Sequence, residues 1–75
     1  MSIFLLKVLL KLMFVPKHMY SLSGGLPHEA YCIEKDGDRW HFYYSERGVK
    51  STIAYYDSER EVAKAFFKKI RECKR

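Results

Sequence analysis

The chain predicts an α+β fold: an N-terminal helix, a three-stranded antiparallel meander, and a C-terminal helix packed on the sheet. Three observations carry that prediction. Residues 3–15 are apolar apart from Lys7 and Lys11. Three stretches (30–35, 39–45 and 50–56) are separated by the turn sequences Asp36-Gly37-Asp38 and Glu46-Arg47-Gly48, and Asp-Gly is a strong hairpin signal. Ser58-x-x-Glu61 then opens a segment with apolar residues at helical spacing, the signature of a capping box.

The first element is too short and too charged to span a bilayer, which takes about 20 apolar residues. It is also no secretory signal, because the lysines sit inside the apolar run and Pro16-Lys17-His18 stands where small residues would precede cleavage. As a helix it places Lys7 and Lys11 four apart on one face and leaves a wide apolar arc elsewhere. Pro16 pushes Val15 out of helical geometry and ends the element. The division expected is an apolar helix over 1–15 followed by a βββα domain over 16–75. Three roles fit the helix: part of the core, a docking or homodimer element, or a membrane-surface helix for which two lysines are few. Met13 or Met19 as the natural start is a further alternative.

Ser21-Leu22-Ser23-Gly24-Gly25-Leu26-Pro27 reads as a loop. It lacks the Lys-Ser/Thr of a phosphate-binding loop and the preceding strand of a dinucleotide fold. Segment 39–45 is the strongest strand, dense in aromatic residues. Alternation sends Trp40, Phe42 and Tyr44 to one face and His41, Tyr43 and Ser45 to the other, and the first, more apolar set is expected against the last helix. The other face is to be covered by the N-terminal helix or by a partner. In the last helix Val62, Phe66, Ile70 and Cys73 form one stripe, flanked by Ala63 and Phe67. Glu59 and Glu61 lead while Lys68, Lys69, Arg71, Lys74 and Arg75 trail, as the helix dipole favours.

Seventy-five residues allow one domain and exclude a multi-lobed enzyme. Two cysteines, Cys32 and Cys73, exclude a disulfide scaffold and fit a cytoplasmic location. The net charge of +5 is uneven. Residues 1–20 hold three lysines and no acid, residues 21–56 four bases against five acids, and residues 57–75 seven bases against four acids. The excess thus belongs to the two helices, and the central segment is nearly neutral.

No catalytic or metal constellation stands out. Cys32, His28 and His41 match no zinc spacing, and Cys73 on an apolar stripe reads as a buried thiol. Cys32 with either histidine lacks an orienting group or an oxyanion loop. Asp36 and Asp38 flank a turn glycine and serve the backbone. No cofactor is implied, and the chain is expected to be a binding protein, not an enzyme. Glu46 and Arg47 are more than a turn requires, and an Arg can grip a carboxylate or phosphate with two parallel bonds. The expected partner-contacting set is His41 and Tyr43 on the sheet, Glu46, Arg47 and Lys50 around the second turn, and His28 and Glu29 after the glycine loop.

The segment Tyr20-Ser21-Leu22-Ser23-Gly24-Gly25-Leu26-Pro27-His28-Glu29-Ala30-Tyr31-Cys32-Ile33, then Trp40-x-x-Tyr43-Tyr44-Ser45-Glu46-Arg47-Gly48-x-Lys50 and Asp57-Ser58-Glu59, resembles a family of small bacterial immunity proteins. These belong to polymorphic and contact-dependent inhibition toxin systems. The resemblance runs from about residue 20 to residue 70 and omits the N-terminal helix. It implies a cytosolic inhibitor that binds and blocks a cognate toxin. The positive charge departs from the acidic character of inhibitors of basic nucleases, which argues against nucleic-acid mimicry.

An alternative comes from another class. Three strands followed by a helix are similar to the small DNA-binding domains of phage-type integrases, which lay their sheet in the major groove. Arg39, His41, Arg47 and Lys50 lie in the corresponding region. A reading surface should concentrate positive charge, and the central segment does not.

Overall fold

The computed structural model describes residues 2–73. Lys74 and Arg75, expected in the basic tail of the last helix, lie outside the described residues, as does the side chain of Cys73. The fold is α+β: helix α1 (Ile3–Leu12), a 3₁₀ turn (Lys17–Met19), strands β1 (Tyr20–Ser21), β2 (Ala30–Asp36), β3 (Arg39–Glu46) and β4 (Val49–Tyr56), and helix α2 (Glu59–Cys73).

Helix α1 starts where the Ser2 hydroxyl accepts from the Leu5 amide at 3.1 Å. It stops before Val15, earlier than Pro16 alone would require. Phe14 adopts a left-handed conformation at φ +59°. The Phe14 amide donates to the Lys11 carbonyl and the Val15 amide to the Leu10 carbonyl, each at 3.1 Å. This is the Schellman pattern, with a phenylalanine where glycine is usual. Leu10 and Val15 are both buried, supplying the apolar contact that accompanies the motif.

The sheet has four strands in the order β1-β2-β3-β4, so the expected three-stranded antiparallel meander is corrected to a mixed sheet. The addition is β1, which runs parallel to β2 with Tyr20 beside Tyr31 and Ser21 beside Cys32. Two residues are too few to show alternation, which is why the sequence pattern missed them. Parallel neighbours cannot be joined by a hairpin, so residues 22–29 must return across the sheet. The hairpins follow the turns: Asp36 pairs with Arg39, and Glu46 with Val49. A bulge interrupts the second ladder: Phe42 pairs with Ala54 but Tyr43 with Thr52, leaving Ile53 as the extra residue.

One core unites both helices with the sheet. Leu6 and Leu10 of α1 and Val62, Ala63, Phe66 and Ile70 of α2 are packed with Ile33 and Phe42. The Phe42 and Phe66 rings lie 5.4 Å apart. Of the two covers considered for the Tyr43 face, α1 is excluded, because it sits beside α2 on the Phe42 side. Helix α2 begins at its expected cap, with Ser58 Oγ accepting from the Glu61 amide at 3.2 Å. Among the described residues no helix is long and apolar enough to cross a membrane.

Candidate functional site

The glycine loop covers the second sheet face. Tyr43 on β3 is fully buried and its hydroxyl donates to the Gly25 carbonyl at 2.6 Å. Gly24 is pressed against the same face: a Cβ there would meet Glu34 at 3.2–3.3 Å, in a backbone with φ +79°. Ser21 Oγ donates to the Gly24 carbonyl at 2.8 Å and holds the loop's entry. Beneath it Ala30, Cys32 and Tyr43 make a small second core. Burial pushes the Cys32 thiol and the Tyr43 phenol above their ordinary pKa values. Ser45 lies on this face too, with its buried hydroxyl lacking a protein hydrogen-bond partner among the described residues.

Beside that core runs a polar ladder across three strands. Glu34 on β2 faces His41 on β3, with Oε2 2.9 Å from Nδ1. A carboxylate only accepts, so Nδ1 carries the proton and, in the neutral ring, Nε2 accepts from the Thr52 hydroxyl at 2.8 Å. Lys50 Nζ donates to both Glu34 oxygens at 3.0–3.1 Å and sits 4.9 Å over the Tyr43 ring. The imidazole stacks on Tyr55 at 4.6 Å and 9°, and Arg39 closes the stack 4.1 Å from the Tyr55 ring. The His41 hydrogen bond, helped by Lys50, holds the Glu34 carboxyl below the ordinary range against a smaller opposing effect of burial.

Carboxylate, imidazole and hydroxyl stand here in the order of a nucleophilic triad. The same three side chains tie β2, β3 and β4 together. Lys50 occupies the carboxylate, and the ring is 6% exposed, flanked by Tyr43 and Tyr55. A cleft between β4 and α2, lined by Phe42, Ile53, Tyr56 and Lys69, does not reach Thr52. Among the described residues no group of three His, Cys, Asp or Glu side chains is placed to hold a metal.

The expected contact residues therefore divide into three groups. The reading of His41 and Tyr43 as surfaces offered to a partner is corrected, since the loop and the tyrosine stack bury both. Lys50 is committed to Glu34. The other four residues are exposed and gather at one end of the sheet. Ala30 pairs with Ser45, so the register carries Glu29 alongside Glu46, next to Arg47, with His28 preceding it. His28 and Glu29 form a loose surface pair at 3.8 Å. Glu29 and Arg47 both hold left-handed backbones, at φ +49° and +51°. Leu26 and Val49, on the adjoining loop and turn, add exposed apolar side chains.

Glu34 and Thr52 were missed by the sequence reading. Glu34 was recoverable, because a turn pairing Asp36 with Arg39 pairs Glu34 with His41 two steps on. Thr52 was recoverable in the same way, because a turn pairing Glu46 with Val49 pairs Thr52 with Tyr43, on the face His41 shares. What the bulge at Ile53 hid is Tyr55, which it brings opposite His41 in place of Ala54. No family model, curated protein or solved structure matches the chain.

Proposed function

We propose that this chain is a cytoplasmic binding protein that neutralises a cognate bacterial toxin by direct contact through the charged end of its sheet. One observation carries the reading: the two most distinctive segments of the sequence converge there. The Ser-Leu-Ser-Gly-Gly-Leu-Pro loop covers Tyr43 and delivers His28 and Glu29 to the rim. The Tyr-Tyr-Ser-Glu-Arg-Gly segment supplies Glu46 and Arg47 to the same rim. Both segments carry the resemblance to immunity proteins. A rim with both charge signs around exposed Leu26 and Val49 suits an interface with a protein better than one with a polyanion.

The DNA-binding alternative draws little from this geometry. The sheet face such a domain lays in a groove is covered at Tyr43, and Arg39 and Lys50 are held by Tyr55 and Glu34.

The reading expects a toxin domain encoded directly upstream, and the absence of one counts against it. The test is co-expression with that domain. The expected result is rescued growth and a complex that survives purification. Glu46→Ala with Arg47→Ala should weaken that complex at least about tenfold, as loss of charged anchors does, while leaving the circular dichroism spectrum intact. Failure to form a complex overturns the function, and unchanged affinity of the double variant removes the turn from the interface.

A further inference from the structure

Helix α1 buries one side and exposes an apolar stripe on the other. Leu6 and Leu10 point into the core, while Phe4 and Leu12 are 75% and 69% exposed, with Leu5 and Val8 also exposed between them. At 100° per residue the stripe lies nearly opposite the buried pair. Phe14 extends it, 87% exposed. Phe14 holds its position at φ +59°, a conformation disfavoured for a bulky residue. The Schellman turn accounts for the backbone, but packing does not account for a solvent-facing phenyl ring where glycine would carry no strain, and that points to a use outside the fold.

A second, independent feature adjoins the stripe. Lys7 and Lys11 on α1 and Lys17 on the 3₁₀ turn converge on a cleft of about 340 Å³, lined also by Tyr20, Ser21, Leu22 and Ser23. None of the three lysines has an ion-pair partner among the described residues. The first acid in the chain is Glu29. The two-lysine count that weakens a membrane reading of the sequence is incomplete, because the fold brings Lys17 to the same flank.

We infer that α1 and this cleft form a docking surface for an anionic lipid bilayer, with Phe4, Leu5, Val8, Leu12 and Phe14 entering the interface and Lys7, Lys11 and Lys17 taking phosphate headgroups. Charge selects the occupant. A second copy of the same face brings three more lysines and no acid to meet them, whereas an anionic leaflet neutralises all three. The lysine stems bury along apolar surface while their ammonium groups remain at headgroup level.

Co-sedimentation with vesicles tests the assignment. The full chain should bind phosphatidylcholine vesicles containing phosphatidylglycerol and pass over pure phosphatidylcholine, with binding falling as salt screens the charges. Combined Lys7→Gln, Lys11→Gln and Lys17→Gln should cut partitioning roughly a hundredfold, at about fivefold per lysine. Phe14→Gly is the sharpest variant: it relieves the left-handed strain, so the protein should melt higher while binding vesicles more weakly. Equal binding to both vesicle types, full binding by the lysine variant, or unchanged binding by Phe14→Gly overturns the proposal. So does a concentration-dependent dimer that Leu12→Ser abolishes in a protein that ignores vesicles.

Discussion

The Tyr43 hydroxyl and the Gly25 carbonyl, 2.6 Å apart, join the middle of the sheet to a loop eighteen positions earlier. The bond explains how a short chain covers its second sheet face without a third layer. It also couples the glycine loop to the rim formed by His28 and Glu29. Tyr43→Phe keeps the ring and removes the donor, leaving a carbonyl to find water. A loss of about 1 kcal/mol in urea unfolding is expected, with faster amide exchange over residues 22–29. Unchanged protection there would show that shape alone, without the hydrogen bond, holds the loop.

Acid should reveal the Glu34–His41 pair. The His41 hydrogen bond lowers the Glu34 pKa in the folded protein. The unfolded chain therefore takes up this proton first, at about pH 4.3. The pair's stabilisation is fully present above that pH and drains away as pH falls through the lower folded value. Thermal melts between neutral pH and pH 3 should decline more steeply for the wild type than for Glu34→Gln. Parallel slopes would mean that Glu34 contributes nothing to the acid limb.

How much of this was legible in the sequence depends on the range of the forces involved. The hairpin turns, the Ser58 cap on the Glu61 amide, and the Trp40 and Phe42 face against α2 are set by neighbours a few residues apart, and all appear as read. What escaped depends on long-range return of the chain. Strand β1 gains its identity only from β2, and the loop covers Tyr43 only because that pairing is parallel. The burial of Tyr43 follows from the same crossing, and that of His41 from the bulge that stacks Tyr55 on its ring. The early end of α1 was hidden because a phenylalanine occupies a position where glycine is the usual marker.

The second hairpin offers a way to separate stability from recognition. Arg47 and Gly48 both have positive φ, at +51° and +77°, as a type I′ turn demands. Glycine meets that demand freely, whereas arginine does so at a cost. Asn tolerates the left-handed region, so Arg47→Asn should stabilise the fold by on the order of 0.5–1 kcal/mol. The same change should weaken the proposed protein complex, because the exposed guanidinium is lost. A stability gain measured by denaturant titration beside a loss in complex affinity would mark Arg47 as retained for contact. A less stable Arg47→Asn protein would contradict the strain.

Two leucines on one helix decide what α1 is to the fold. Leu6 is fully buried against the α2 and sheet residues, while Leu12 faces solvent. If α1 were an appendage, both truncations would be mild. Because Leu6 shares a core with Ile33, Phe42 and Phe66, Leu6→Ala should cost about 2–5 kcal/mol. That is a large part of the total for a domain of this size. Leu12→Ala should stay within about 0.5 kcal/mol, as exposed substitutions do. Deleting residues 2–12 should then expose the α2 face and raise dye binding to apolar surface. A Leu6→Ala protein with wild-type stability, together with a cooperatively folded deletion variant, would show that the sheet and α2 form the whole domain and that α1 only rests on it.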